Sequence, residues 1–189
     1  MTTAVAPSLP LVVFTGRFQP FHLDHLEMVR HALGLAERVL IGVTNADAEN
    51  LIPHAASAHR HLASANPFSY QQRVQLIDAA LQAETIARER YDIVPFPLDT
   101  PERWPALVAP GTPQLVRVYS DWEREKVRRF AAAGYPTLVV EGDAAKRLTA
   151  TEIRRALSAG EGVPASVPRG AHALLKAWTF EGQGVSHAR

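Results

Sequence analysis

The tightest constraint on the fold lies near the start of the chain. Leu11-Val12-Val13-Phe14 is a continuous apolar run of strand length. The stretch Gly16-Arg17-Phe18-Gln19-Pro20-Phe21-His22-Leu23-Asp24-His25 follows, and beyond it Leu26, Val29, Leu33 and Ala36 recur at helical spacing. A second apolar run, Arg38-Val39-Leu40-Ile41-Gly42-Val43, closes the unit. This reads as a strand, a helix from about His22 to Glu37, and a strand. Two strands joined through a helix run parallel, with a right-handed crossover.

The alternation continues. Ser69 and Gln72 have the spacing of a capping box, with Val74, Ile77 and Leu81 as the apolar face of the helix behind them. Ile93-Val94-Pro95-Phe96 reads as a third strand that ends early or lies near an edge, because of its proline. Leu115 to Tyr119 and Thr137 to Val140 are strands four and five, separated by a helix from Trp122 to Ala133 that Gly134 stops. A short helix over Thr149–Leu157, with capping-box spacing between Thr149 and Glu152, and a closing helix over Pro168–Trp178 complete the chain. The expected fold is a single α/β domain over residues 1–189. It is a Rossmann-like, doubly wound parallel sheet of about five strands with C-terminal helices, preceded by a loose tail over residues 1–10. A chain of 189 residues suffices for one full core.

Composition enters by what it excludes. The net charge of +1 provides no global field to recruit nucleic acid or a membrane, so anion binding must come from local clustering. The absence of cysteine rules out disulfides, thiol catalysis and thiolate metal sites. The first ten residues lack the features of a signal peptide, no apolar run reaches the length of a membrane span, and a cytoplasmic protein is expected. Residues 46–66 have no period and carry His54, His59 and His61; without a matching acid pattern a surface loop is preferred to a metal site. A loop of that length is read here as a lid over the substrate.

In doubly wound sheets, ligands sit beyond the carboxyl ends of the strands where the strand order reverses. Polar and aromatic residues follow each strand: Gly16, Arg17, His22 and His25; then Asp99 and Trp104; then Ser120, Asp121 and Trp122; then Glu141, Gly142, Thr149, Thr151 and Arg154. His22 and His25 share one face at a helix start, where unpaired N–H groups and a partial positive charge suit phosphate. With Arg17 they make a polyphosphate cradle. The basic run Lys126-Val127-Arg128-Arg129 reads as a solvated helix face. One cation about 4 Å from a phosphate charge contributes about 4 kcal/mol at an effective dielectric near 20, before desolvation.

The first stretch resembles the Gly-Arg-Phe-Gln-Pro-x-His-x-Gly-His signature of the nicotinamide-mononucleotide adenylyltransferases, members of the wider HxGH nucleotidylyltransferase superfamily. Leu148-Thr149-Ala150-Thr151-Glu152-Ile153-Arg154 is similar to their Ile-Ser-x-Thr-x-x-Arg, and Asn66-Pro67-Phe68 with Arg73 to their Asn-Pro-Phe-x-x-x-x-Arg. The resemblance implies transfer of a nucleotidyl group from a nucleoside triphosphate to the phosphate or phosphonate oxygen of a small acceptor, with release of pyrophosphate. It implies catalytic roles for Arg17, His22, His25 and Arg154. Gly16, Phe18, Gln19, Thr149, Thr151 and Arg154 would bind the triphosphate. Mg²⁺ is expected on the triphosphate, held by its oxygens and water rather than by protein side chains.

Two positions depart from the pattern. Asp24 stands where the family has glycine; it reads either as a first-turn acid favourable to the helix dipole or as an acceptor for the exocyclic amine of adenine or cytosine. After strand three, Asp99 and Trp104 match acceptor-binding positions, but the family's asparagine is missing. Related cytidylyltransferases of phosphonate pathways, one of which joins CMP to phosphonoformate, share the motifs. Such an acceptor would call on Arg103, Arg117 or Lys126. Two acceptors therefore stay open, nicotinamide mononucleotide with ATP and a small phosphonate with CTP, beside a non-catalytic nucleotide sensor. The oligomeric state, including a homo-oligomer, is also open.

Overall fold

The structure, a computed structural model, describes residues 8–47, 51, 61–143, 145, 148–179 and 186–187. His54, His59 and most of the expected lid lie outside the described residues; His61 lies within them and is half-buried. The elements are β1 (Leu9–Gly16), α1 (Leu23–Leu35), β2 (Ala36–Val43), α2 (Tyr70–Ala83), β3 (Tyr91–Pro95), β4 (Gln114–Val118), α3 (Asp121–Ala132), β5 (Thr137–Glu141), α4 (Ala150–Ser158) and α5 (His172–Ala177). A short antiparallel pair, β6 (Trp178–Thr179) and β7 (Ser186–His187), follows.

Five strands form one parallel sheet in the order β3-β2-β1-β4-β5, so the order reverses between β1 and β4. Alternation along β1 divides the core between the two faces. Val12 and Phe14 pack with Leu26, Met28 and Val29 of α1, and Val13 packs with Trp122 and Phe130 of α3. A third cluster joins α2 to the C-terminal helices through Phe68, Leu76, Ile153, Leu157 and Leu175. No helix among the described residues is long and apolar enough to cross a membrane.

Several boundaries differ from expectation. β1 begins at Leu9, inside the expected tail, because Leu9 pairs with Ala36. That pairing also ends α1 two residues early: Ala36 is extended, its N–H closes on Ala32, and the chain passes from helix to strand without a loop. The closing helix is broken into a 3₁₀ turn (Arg169–Ala171) and α5, since Trp178 leaves for β6. β3 is an edge strand ending on Pro95, as its proline indicated. The Ser69–Gln72 box is complete, with Ser69 N–H donating to Gln72 (2.9 Å) and Gln72 N–H donating to Ser69 Oγ (3.2 Å). Gly134, at φ +82°, adopts the left-handed conformation that stops α3.

Candidate active site

The turn between β1 and α1 is held from outside itself. Arg73, 1% exposed, donates to the carbonyls of Arg17 (2.9 Å), Thr44 (2.7 Å), Asn45 (2.7 Å) and Ser69 (3.3 Å). One guanidinium thus joins the ends of β1 and β2 to the start of α2, and burial lowers its pKa to about 10. Gln19 is 2% exposed, and its carboxamide donates to Phe68 O (3.0 Å) and accepts from Phe68 N–H (2.9 Å). The side chain expected to bind triphosphate is therefore engaged in fixing the turn. Phe18 sits at φ +52°, a conformation costing a bulky residue on the order of 1 kcal/mol, and packs edge-on to Phe14 and His25. Gly16 has to be glycine because a Cβ there would meet the Phe18 ring at 2.7 Å.

His22 caps α1, and its ring stacks on His25 with centroids 3.6 Å apart. The His22 N–H donates to His25 Nδ1 at 3.3 Å, which leaves the proton of a neutral His25 on Nε2. Burial first, then the charges of His22, Lys126, Arg17 and Arg117, hold the His25 pKa well below the ordinary imidazole value. His25 is thus a neutral donor among cations. The helix start itself offers less than expected, since the Leu23 N–H is already taken by Ser166 O (2.8 Å).

The second motif reaches the first through Arg154. Ile153 and Leu157 seat α4 against α2 and α5, and Arg154 donates to Gln19 O (2.8 Å) and Thr151 Oγ1 (3.1 Å). Desolvation lowers the Arg154 pKa. Thr149 caps α4: its oxygen accepts from Glu152 N–H (3.4 Å) and its hydroxyl donates to the Glu152 carboxylate (2.7 Å).

These groups open on one cavity of about 360 Å³ at the β1/β4 switch point. Gly16, Arg17, Phe18, Gln19, His22 and His25 line it from the turn, and Thr149, Thr151 and Arg154 line it from α4. Thr15, Leu98, Val116, Trp122, Glu123 and Lys126 form the wall beneath α3. Asp24, Arg117 and Tyr119 also line it. Asp24 lies in the first turn of α1, as the dipole reading expects, and its carboxylate pairs closely with Arg117 and accepts from Tyr119 OH (2.9 Å). Arg117 also donates to Glu27 (2.5 Å). Desolvation opposes its charge, but the hydrogen bonds to Glu27 and Tyr119 and the Asp24 charge outweigh this and raise its pKa.

The expected acceptor residues divide. Arg117 and Lys126 line the cavity; Asp99, Arg103 and Trp104 do not. Residues 101–106 form a 3₁₀ helix that turns Trp104, 0% exposed, into an aromatic cluster with Phe96, Phe130 and Tyr135, its indole N–H on Pro97 O (2.8 Å). Asp99 pairs with Arg129 (3.0 Å), and Arg103 is exposed. The basic run is not one solvated face. Lys126 lies four residues from both Trp122 and Phe130 on the buried face of α3, whereas Arg128 and Arg129 pair with Glu125. That spacing is the signal that would have identified Lys126 and Trp122 together. Thr15 and Tyr119 are further lining residues that the motifs did not mark. Among the described residues, no three His, Asp or Glu side chains gather as a metal site.

The sequence profile of the cytidylyltransferase-like family matches residues 13–157, the span holding both motifs. The chain is 32% identical over 149 residues to a phosphonoformate cytidylyltransferase of Streptomyces viridochromogenes, covering 79% of this chain and 81% of the relative. It is 27% identical over 158 residues to a nicotinamide-nucleotide adenylyltransferase of Thermococcus kodakarensis, covering 83% and 77%. The fold matches a bifunctional NMN adenylyltransferase/ADP-ribose pyrophosphatase of Francisella tularensis at a TM-score of 0.67 and 24% identity, over 89% of this chain and 49% of that one. The chain thus spans about half the length of that bifunctional enzyme, which has also been solved with AMP and a manganese ion.

Proposed function

From the premise that this chain belongs to the cytidylyltransferase-like family, we propose that it transfers a nucleotidyl group from a nucleoside triphosphate to an anionic oxygen of a small acceptor. Mg²⁺, when bound, would be held by the oxygens of the triphosphate and by water and would supply further positive charge to the phosphates. The acceptor's P–O⁻ attacks the α-phosphorus, the bond from that phosphorus to the α–β bridging oxygen breaks, and pyrophosphate departs with the electron pair. No covalent enzyme intermediate forms. Catalysis rests on alignment and on neutralising charge at the transferring group. Arg17, His22 and the Nε2–H of His25 face that group, while Thr149, Thr151 and Arg154 hold the β and γ phosphates. The observation that carries this reading is that His25 and Arg154, from motifs far apart in the chain, line one cavity.

For the acceptor, cytidylyl transfer to a small phosphonate is the better supported reading. Asp99 and Trp104, the expected nicotinamide contacts, lie outside the cavity, and buried Lys126 lies within it. A nicotinamide ring is a cation, and the Lys126 charge in that wall would repel it. Adenylyl transfer to nicotinamide mononucleotide is the second reading, favoured by the similarity to the Thermococcus enzyme. A matrix of pyrophosphate release separates them: ATP, CTP, GTP and UTP against nicotinamide mononucleotide, nicotinate mononucleotide and phosphonoformate. The fastest release is expected with CTP and phosphonoformate. ATP with nicotinamide mononucleotide as the fastest pair would favour the second reading, and no release with any pair would leave a nucleotide sensor.

A further inference from the structure

The wall beneath α3 holds two polar groups that the triphosphate side does not use. Thr15 is 4% exposed, and its hydroxyl oxygen has no hydrogen-bond partner among the described residues. It lies two residues beyond Val13 on β1, so it presents the face of the sheet that α3 covers. Lys126, 7% exposed, rises from α3 to the same point and donates to the Thr15 carbonyl at 2.7 Å. Both side chains line the cavity, between apolar surfaces from Leu98, Val116 and Trp122. Glu123 lines it too; it is half-buried at the start of α3, with the Ser120 hydroxyl donating to its carboxylate at 2.6 Å.

A buried hydroxyl without a partner and a buried ammonium are both costly in an apolar wall. Thr15 lies on the face of the sheet that α3 covers, away from the helix start that carries His22 and His25, although the Lys126 charge reaches His25. A bound anion accounts for both: it accepts from the Thr15 hydroxyl and meets the Lys126 charge in a desolvated setting, where such a hydrogen bond is strong. Leu98, Val116 and Trp122 limit the space around it, which suits a small group rather than a nucleoside.

We propose that Thr15 Oγ1 and Lys126 Nζ form a second anion subsite that holds an acidic group of the acceptor other than the attacking one. The acceptor class is then a small phosphonate or phosphate with a second acidic group, such as a carboxylate, a few bonds away. One group supplies the nucleophilic oxygen beside Arg17 and the histidines, and the other anchors the molecule beneath α3. This rests on the nucleotidyl-transfer reading and refines its acceptor.

Binding tests the subsite without requiring turnover, so its result is separate from that of the pyrophosphate matrix. The full chain, with CMP present to fill the nucleotide side, is titrated calorimetrically with phosphonoformate, which has two acidic groups, and with methylphosphonate, which has one. Phosphonoformate is expected to bind at least tenfold tighter. In Thr15→Val and Lys126→Met, which keep size and remove the polar atom, the ratio between the two ligands falls to about one. Thr15→Ser, which keeps the hydroxyl, restores the preference. Thermal melts of each variant exclude loss of fold as the cause. Equal affinity of the wild-type chain for the two ligands, or an undiminished ratio in Thr15→Val and Lys126→Met, overturns the proposal.

Discussion

The cavity has two walls of different construction. The wall formed by the β1–α1 turn and the start of α4 draws on two short, contiguous stretches, residues 16–25 and 148–154. The wall beneath α3 draws on Thr15, Leu98, Val116, Trp122 and Lys126, which come from four separate places: β1, the segment after β3, β4 and α3. The first wall takes its chemistry from local features, a turn and two helix starts, which leave a compact trace in sequence. The second takes it from tertiary packing, in which residues meet only after the sheet has formed. Under the proposed function, the first wall grips a group common to every nucleoside triphosphate, and the second faces whatever receives the transferred part.

The largest expected effect falls on the first wall. His22→Ala should lower kcat/KM by at least about 100-fold, the usual cost of removing one group that stabilises charge in the transition state. A loss below tenfold, measured by steady-state pyrophosphate release, would mean that the histidine pair is only a helix cap. Next comes the brace behind that wall. Arg73→Ala removes the side-chain donor to the carbonyls of Arg17, Thr44 and Asn45 and should cost about 2–4 kcal/mol of stability. That corresponds to a fall in Tm on the order of 10 °C for a chain of this size. An unchanged melting curve would show that the ends of β1 and β2 hold themselves.

A smaller effect comes from pH. The folded His25 pKa lies below its unfolded value, so its contribution to stability is present above about pH 6.5. That contribution is lost as pH falls toward the lowered pKa, because the unfolded chain takes up the proton first, at no more than about 1.4 kcal/mol per pH unit. Denaturant melts at pH 7.5 and 5.5 should show this loss in the wild-type chain and a weaker one in His25→Asn. The least effect is expected from Arg103→Ala, an exposed residue outside the cavity. Its stability should shift by less than about 0.5 kcal/mol, with the acceptor KM within twofold. A large rise in that KM would bring the segment after β3 back into the acceptor wall.

The contrast between the walls also explains what was legible in the sequence. The parallel sheet of five strands follows from the alternation of apolar runs with helical segments, and the two motifs stand out because turn and capping residues act over three or four positions. Gln19 was recognisable as part of the motif, but not its use, since its carboxamide meets the main chain of Phe68, 49 residues away. Arg73 was visible as a motif residue and not as the brace it is, because its partners are carbonyls brought together by β1, β2 and α2. Asp99 and Trp104 matched in sequence, yet the 3₁₀ turn at 101–106 rotates the tryptophan into the core. Lys126 was named for a phosphonate acceptor, yet the run around it was read as a solvated face because three basic residues in four suggest one; its spacing from Trp122 and Phe130 places it inward.

The central claim is that two distant stretches of chain grip one polyphosphate. The most direct test is the affinity of the protein for CTP relative to CMP, in the wild-type chain and in the His25→Ala and Arg154→Ala variants. If the β and γ phosphates lie between the two motifs, the preference for the triphosphate falls at least tenfold in both variants. If Arg154→Ala keeps the wild-type preference, the motifs do not share a ligand and the account is contradicted.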